Sequence, residues 1–291
     1  MAAAPEHHLL SIGALAERTG VPPTTLRSWE NRYGFPRPIR AQGGHRRYPE
    51  SEVAAVLRVL QHREAGFALE AAVRLATTES RRPQSVYAEL RRRHPELTPR
   101  TLSKGTLVAL SRAIEDECCA RAEQPILFGA FQRESFLRQA YRRWVELART
   151  ARAAVVFADL PEPGVADAAV PVAALAGVLV EVPLPREAAL NREWVVVCDA
   201  PDLPACLAAV ERPGQGDSGD SRRRFEAVWT VDPAVVRHAA RVAAGLADEY
   251  RPGWRSGGLA GLEDEPPGAS ADLRRASELL GRMMEYVDAR H

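Results

Sequence analysis

Between residues 9 and 76, two short amphipathic helices joined by a tight turn run straight into a basic, glycine-tipped hairpin, and few small folds accommodate that order. Ser11 is placed to cap a first helix whose Ile12, Leu15 and Ala16 share a face. Gly20 ends that helix, since it enters the left-handed conformation of a tight turn without steric cost. Pro22-Pro23 restarts the chain, and Pro23 suits a first helical turn, where its missing N–H goes unused. In the second helix Leu26, Trp29 and Tyr33 fall on one side, and Thr24, Arg27, Ser28 and Asn31 on the other. Beyond Pro36 and Pro38, Ile39–Gln42 and His45–Tyr48 flank Gly43-Gly44, which predicts a two-residue hairpin turn. Such a short ribbon cannot bury a core of its own, so it must lean on helices. A third helix with Val53, Val56, Leu57 and Leu60 inward and a fourth with Leu69, Ala72, Val73 and Ala76 inward supply them. The expected fold is a winged helix-turn-helix.

Short polar side chains with an arginine, spaced three and four apart, suit phosphates and base edges. An ordinary solvated helix face has the same composition. The hairpin decides between the two, because Arg40, Arg46 and Arg47 would face a duplex backbone, and binding should then weaken steeply with salt.

Four stretches, IGALAERTGV, TTLRSWENRYG, GGHRRY and the run from Glu52 through GFALEAA, make residues 9–76 resemble the DNA-binding domain of the MerR family of transcriptional regulators. Trp29-Glu30 followed by Arg32-Tyr33-Gly34 is similar to the subgroup with the pattern RxWExRYG. The resemblance implies a homodimer on pseudo-palindromic, double-stranded promoter DNA, with Arg18 and Arg27 near phosphates or base edges and Arg46 in the wing. The expected DNA-facing set is Arg18, Thr24, Thr25, Arg27, Ser28, Asn31, Arg32, Arg40, His45, Arg46, Arg47 and Tyr48, and RNA polymerase is a further expected partner. One departure stands out. Family members follow the fourth helix with a long dimerisation helix, whereas Pro83, Pro95 and Pro99 here leave room for only a short one.

Charge supports the division of the chain into two. Net charge is only +1 over 291 residues, but residues 1–100 carry +6 and the remainder −5. A basic front on an acidic rear fits a DNA-binding module joined to something else. Cys118, Cys119, Cys198 and Cys206 show neither CxxC spacing nor partner histidines, so free thiols are expected and no metal site or cofactor is indicated. The N-terminus lacks the basic-then-apolar pattern of a signal peptide, and Ala168–Val180 is too short and too interrupted to span a bilayer. A cytoplasmic protein without a membrane partner is expected.

From Leu102 to Tyr250 helices and strands alternate. Helices are expected over 105–122, 132–149, near 203–211 and over 233–249, the last capped by Asp232-Pro233. Strands are expected at Pro125–Phe131, Ala153–Phe157, Gly177–Val182, Glu193–Cys198 and Phe225–Val231, giving an α/β sandwich around a buried sheet. Asp159, Asp199 and Asp232 each follow a strand, where a magnesium site is conceivable, but turn and cap chemistry is the preferred explanation. There is no Gly-rich phosphate loop, nucleophile elbow or HExxH, so catalysis is not expected and no catalytic residue is assigned. LSKGTLVALSRAIEDEC, PILFGAFQRESF, RRWVELARTA and VVFADL resemble the DICT domain, a sensory module. That implies input from an unidentified small-molecule or protein signal. Should a pocket exist, Glu115, Phe131, Gln132, Arg133 and Trp144 are the candidate ligand residues, each with a structural role as the alternative.

The expected architecture is therefore α plus α/β. A winged helix-turn-helix over 1–80 is followed by a linker with a short basic helix over 81–101 and a sensory α/β sandwich over 102–250. A flexible connector over 251–271 and a C-terminal helix over 272–291 complete the chain. Residues 214–224 read as a polar loop. Leu273, Ala276, Leu280, Met283 and Val287 form a two-heptad seam that either packs back on the α/β domain or pairs across a dimer. Two other classes compete with a regulator. One is an architectural DNA-binding protein whose rear domain is only an oligomerisation scaffold, and the other is a rear-domain enzyme acting on nucleotides.

Overall fold

The structure is a computed structural model that describes residues 9–40, 46–49, 51–80, 84–161, 177–215, 223–255, 259 and 261–289. The chain divides into two units, Met1–Arg82 and Pro83–His291.

In the first unit, α1 (Ile12–Thr19) and α2 (Pro23–Tyr33) form the helix-turn-helix. Ser11 Oγ accepts from the Ala14 N–H, and Gly20 closes α1 at φ 71°, as the turn requires. Two-residue strands β1 (Ile39–Arg40) and β2 (Arg46–Arg47) pair antiparallel, and Leu10 bridges to Tyr48 alongside them. Helices α3 (Ser51–Glu64) and α4 (Leu69–Ser80) complete the unit. Leu15, Leu26, Tyr48, Val56, Val59, Ala72 and Ala76 form its core. Two expectations change. Arg40 pairs with Arg46, whereas a two-residue turn at Gly43-Gly44 would place it opposite Arg47; the turn itself lies outside the described residues. Leu57 faces outward, because α3 buries Val53, Ala55, Val56 and Val59 instead.

The second unit is a three-layer α/β/α domain. Its seven-stranded sheet has the order β3-β9-β8-β7-β4-β5-β6, from β3 (Arg100–Ser103), β4 (Ile126–Ala130), β5 (Ala153–Ala158), β6 (Leu179–Pro183), β7 (Glu193–Asp199), β8 (Ala205–Glu211) and β9 (Arg224–Thr230). β4, β5 and β6 run parallel, and the remaining pairings are antiparallel. Helices α5 (Val86–Arg93) and α8 (Pro233–Tyr250) cover one face, while α6 (Lys104–Ile114) and α7 (Glu134–Ala148) cover the other. β4 and β5 are buried along their whole length, which is why both read as unbroken apolar runs.

Three further expectations are corrected here. Residues 205–211 form a central strand where a helix was expected, because ACLAAV is buried on both sides and burial overrides the helical preference of Ala and Leu. The short basic helix expected over 81–101 is present as α5, but the stretch is no linker, because α5 and β3 both pack in the second unit. The connector expected to be flexible over 251–271 lies against α8, with Trp254, Leu259 and Leu262 buried. There Arg241 Nη2 donates to the carbonyls of Glu263 at 2.7 Å and Asp264 at 2.9 Å. The segments 162–176 and 216–222 lie outside the described residues.

Helix α9 (Ala271–Asp288) closes the β3 edge of the sheet. It docks through charge. Arg100, itself buried, holds Glu278 and donates to Glu285 at 2.7 Å. Asp288 accepts from Ser103 N–H and Oγ, Thr106 Oγ1 and Arg224. At Gly281 a Cβ would lie 3.3 Å from Trp229 Nε1, so the missing side chain permits the close approach.

Candidate nucleic-acid interface

α2 keeps Leu26 and Trp29 in the core and turns Thr24, Arg27, Ser28, Asn31 and Arg32 to solvent. Thr25 is half-buried beside them, and Arg18, at the end of α1, is exposed. The polar face is thus presented by a helix whose opposite side is locked in place. In the wing, Arg46 and Arg47 are both exposed. His45 and the side chain of Arg40 lie outside the described residues.

Glu30 ties the two parts together. Its Oε1 accepts from Arg46 Nε at 2.7 Å and its Oε2 from the Tyr48 hydroxyl at 2.8 Å, so one carboxylate on α2 holds both Arg46 of β2 and Tyr48 just beyond it. Tyr48 is fully buried, and burial together with the Glu30 carboxylate raises its hydroxyl to about 12. Tyr48 therefore does not belong to the DNA-facing set; it supports the wing from beneath. Glu30 is the functional residue that sequence reasoning left out of the site. Its signal was the Trp-Glu pair itself, since a carboxylate beside a core tryptophan needs a partner. Below the wing, Glu52 accepts from the Arg37 N–H at 3.0 Å, and burial raises its carboxyl despite that bond.

In the second unit, three of the five candidate ligand residues meet. Trp144 Nε1 donates to Glu115 at 3.2 Å, Arg143 pairs with the same carboxylate at 2.5 Å, and Phe131 meets Trp144 edge-on at 5.5 Å. Burial raises the Glu115 carboxyl even so. Trp144 lies flat against β4, where a Cβ on Gly129 would approach its ring to 2.6 Å. Gln132, buried at φ 60°, accepts from Arg223 at 3.0 Å, and Arg133 is exposed at the start of α7. A cavity of about 500 Å³ lies elsewhere, between the β3–β9 edge, the start of α8 and α9, lined by Arg100, Trp229, Thr230, Asp232, Arg274 and Glu278 among others. Its residues come from segments with no shared sequence pattern, which is why the sequence did not announce it.

The three aspartates at strand ends have separate duties. Asp232 caps α8 by accepting from the Ala234 N–H, Asp199 pairs with Arg237 at 2.6 Å, and Asp159 is exposed. Among the described residues no group of three His, Cys, Asp or Glu side chains is placed to hold a metal ion. No described helix is long and apolar enough to cross a membrane.

Comparison with known proteins agrees with this division. Residues 10–79 match the model of the MerR HTH family regulatory proteins, and residues 84–212 match DICT, the sensory domain in diguanylate cyclases and two-component systems. The chain joins a MerR-family helix-turn-helix domain to a DICT domain. The DICT match begins just before α5, so that helix and β3 fall within the domain, and it ends after β8. Over 86 residues the chain is 43% identical to the HTH-type transcriptional repressor CarA of Myxococcus xanthus, covering 29% of this chain and 30% of that protein. Over 142 residues it is 28% identical to the HTH-type transcriptional activator TipA of Streptomyces coelicolor, covering 46% of this chain and 54% of that protein. The chain thus spans less than a third of one relative and about half of the other.

Proposed function

We propose that this protein is a cytoplasmic transcriptional regulator that binds promoter DNA as a homodimer through its MerR-type domain and takes its signal through its DICT domain. The observation that carries the reading is the exposed row Thr24, Arg27, Ser28 and Asn31 on α2, held in fixed relation to the wing by Glu30. In this reading α2 enters the major groove, with base edges in reach of Arg27 and Asn31, while Arg18, Arg46 and Arg47 neutralise phosphates. Two such units grip half-sites, and bending or untwisting of the spacer is what RNA polymerase senses. The relatives named as a repressor and an activator of transcription support regulation over catalysis.

The cavity beside Trp229 is our choice for signal input, ahead of the Glu115–Trp144 cluster, because it offers about 500 Å³ lined by charged and aromatic side chains. A ligand acts from there only by favouring one DNA-bound geometry over another. The test is binding of the full chain to the DNA upstream of its own gene, with Arg27→Ala and Arg47→Ala beside the wild type. Arg27→Ala should lose specific affinity, and Arg47→Ala should lose affinity for every duplex alike. Unchanged affinity in both variants would refute the docking.

A further inference from the structure

Helix α9 is docked the wrong way round for an ordinary surface helix. Its charged side, Glu278, Glu285 and Asp288, faces the sheet edge, whereas the apolar seam faces solvent. Leu279 is 61% exposed, Leu280 51%, Met283 53%, Tyr286 62% and Val287 60%, with Leu273 at 41% nearer the start. An amphipathic helix normally buries this side. α9 thus packs back on its own domain, as one of the two alternatives had it, but through its charged side, so the heptad seam stays exposed.

We propose that this seam is where two copies of the chain meet, α9 against α9, antiparallel. The inference rests on the homodimer reading above and names the surface that reading lacks. Area supports a specific contact. Side chains of this size present on the order of 150–200 Å² each when free, so the observed exposures leave roughly 500 Å² per copy. Two copies then bury about 1,000 Å², where specific pairing begins. Pattern supports a second copy as the occupant. Apolar residues three and four apart form knobs whose natural holes are another such seam. One flank of the seam, Ser277 and Met284, is uncharged, whereas Arg275 and Arg282 line the other beside Leu279 and Tyr286, so a second copy must pair with those arginines held out in solvent. Size supports the antiparallel sense. Centred between Leu280 and Met283, each Leu280 meets the other copy's Met283, and small Ala276 lies opposite Val287 and beside bulky Tyr286. Opposed helix dipoles favour the same orientation. The anchored sheet-facing side adds preorganisation, as α9 is already ordered by Arg100 and Arg224 before the copies meet.

The test is sedimentation equilibrium of the full chain from 0.1 to about 100 µM, with folding checked by circular dichroism. Wild type should be two copies. Leu280→Glu and Met283→Glu, each at an exposed position, should raise the dissociation constant on the order of 100-fold by trapping an unpaired charge in the seam. Leu57→Glu, on the exposed side of α3, should leave it unchanged. If both seam variants remain dimeric, or Leu57→Glu is the variant that dissociates, the seam is not the contact although the homodimer reading stands. A wild type that is one copy throughout overturns both. Orientation is read by mild oxidation of cysteine variants. Leu280→Cys with Met283→Cys should cross-link the two copies, and Val287→Cys alone should not; a cross-link at 287 alone would mean parallel helices and overturn the antiparallel assignment.

Discussion

At the residue scale, single carboxylates position the parts of this protein. Glu30 carries the relation between α2 and the wing, because Arg46 Nε and the Tyr48 hydroxyl have the same partner. Glu30→Ala should cost about 1–3 kcal/mol, since it leaves a buried hydroxyl unsatisfied. Tyr48→Phe should cost less, and a double-mutant cycle in urea should show the two coupled; additive costs would mean that the bond contributes nothing. For DNA affinity, Arg27→Ala should cost about 1–3 kcal/mol on a specific site, while Arg47→Ala should lower the salt slope by about one. Glu193 plays the matching part in the second unit. Its carboxylate receives Ser85 Oγ and the N–H groups of Val86 at 3.0 Å and Tyr87 at 3.2 Å, capping α5 from the start of β7. Burial outweighs those bonds and lifts its carboxyl from 4.5 to about 7. The folded state therefore keeps a proton that the unfolded chain releases near 4.5. The associated stability is complete below that pH and is lost as pH rises through 7. Glu193→Gln, neutral throughout, should remove this slope, so the urea midpoint of wild type should fall relative to the variant between pH 5 and 8. Parallel profiles would show that Glu193 ionises normally.

At the scale of elements, α9 is the most informative case. Burial pushes the Asp288 carboxyl up, but bonds from Ser103, Thr106 and Arg224 outweigh it and hold it below the usual range. Its contribution is thus present above the ordinary carboxylate range and lost as pH falls through its lowered value. Asp288→Asn should loosen α9 alone, with faster amide exchange across 271–288 and unchanged protection in β4 and β5. Uniform loss of protection would mean that α9 is part of the global fold. Elements with local signals were legible in the sequence. Ser11, Gly20, Pro23 and Asp232 mark helix ends by their own chemistry, and β4 and β5 are apolar from end to end. What escaped depends on distant partners. β8 is a strand because β7 and β9 flank it, although its own residues favour helix. β3 is four residues long with Arg100 in it, and only pairing with β9 makes it a strand. Residues 261–264 resemble a linker, yet Arg237 and Arg241 of α8 fasten their carbonyls. In the candidate interface the exposed row of α2 was legible from its spacing. The burial of Tyr48 was not, because it depends on Leu10 and Glu30, far from it in sequence.

At the scale of the whole molecule, the charge asymmetry follows the two units, with +4 on Met1–Arg82 and −3 on Pro83–His291. The front unit has a small core and exposes a basic, polar face on α2 and β2, the face that the proposed function sets against a duplex. The rear unit buries a seven-stranded sheet between two helical layers and adds a cavity and an unpaired helix seam. In the proposed homodimer, α9 is the described element of the rear unit that offers an exposed apolar seam to a second copy. Such a design would let a signal in the cavity, which α9 helps to line, reach the spacing of two DNA-binding units. The most direct test of the central claim is fluorescence anisotropy of the full chain on the labelled duplex from upstream of its own gene, titrated at several salt concentrations. The account predicts tight binding to that duplex over a scrambled one, a steep fall of affinity with salt, and loss of the preference in Arg27→Ala. Equal affinity for both duplexes, or a preference that survives Arg27→Ala intact, would contradict it.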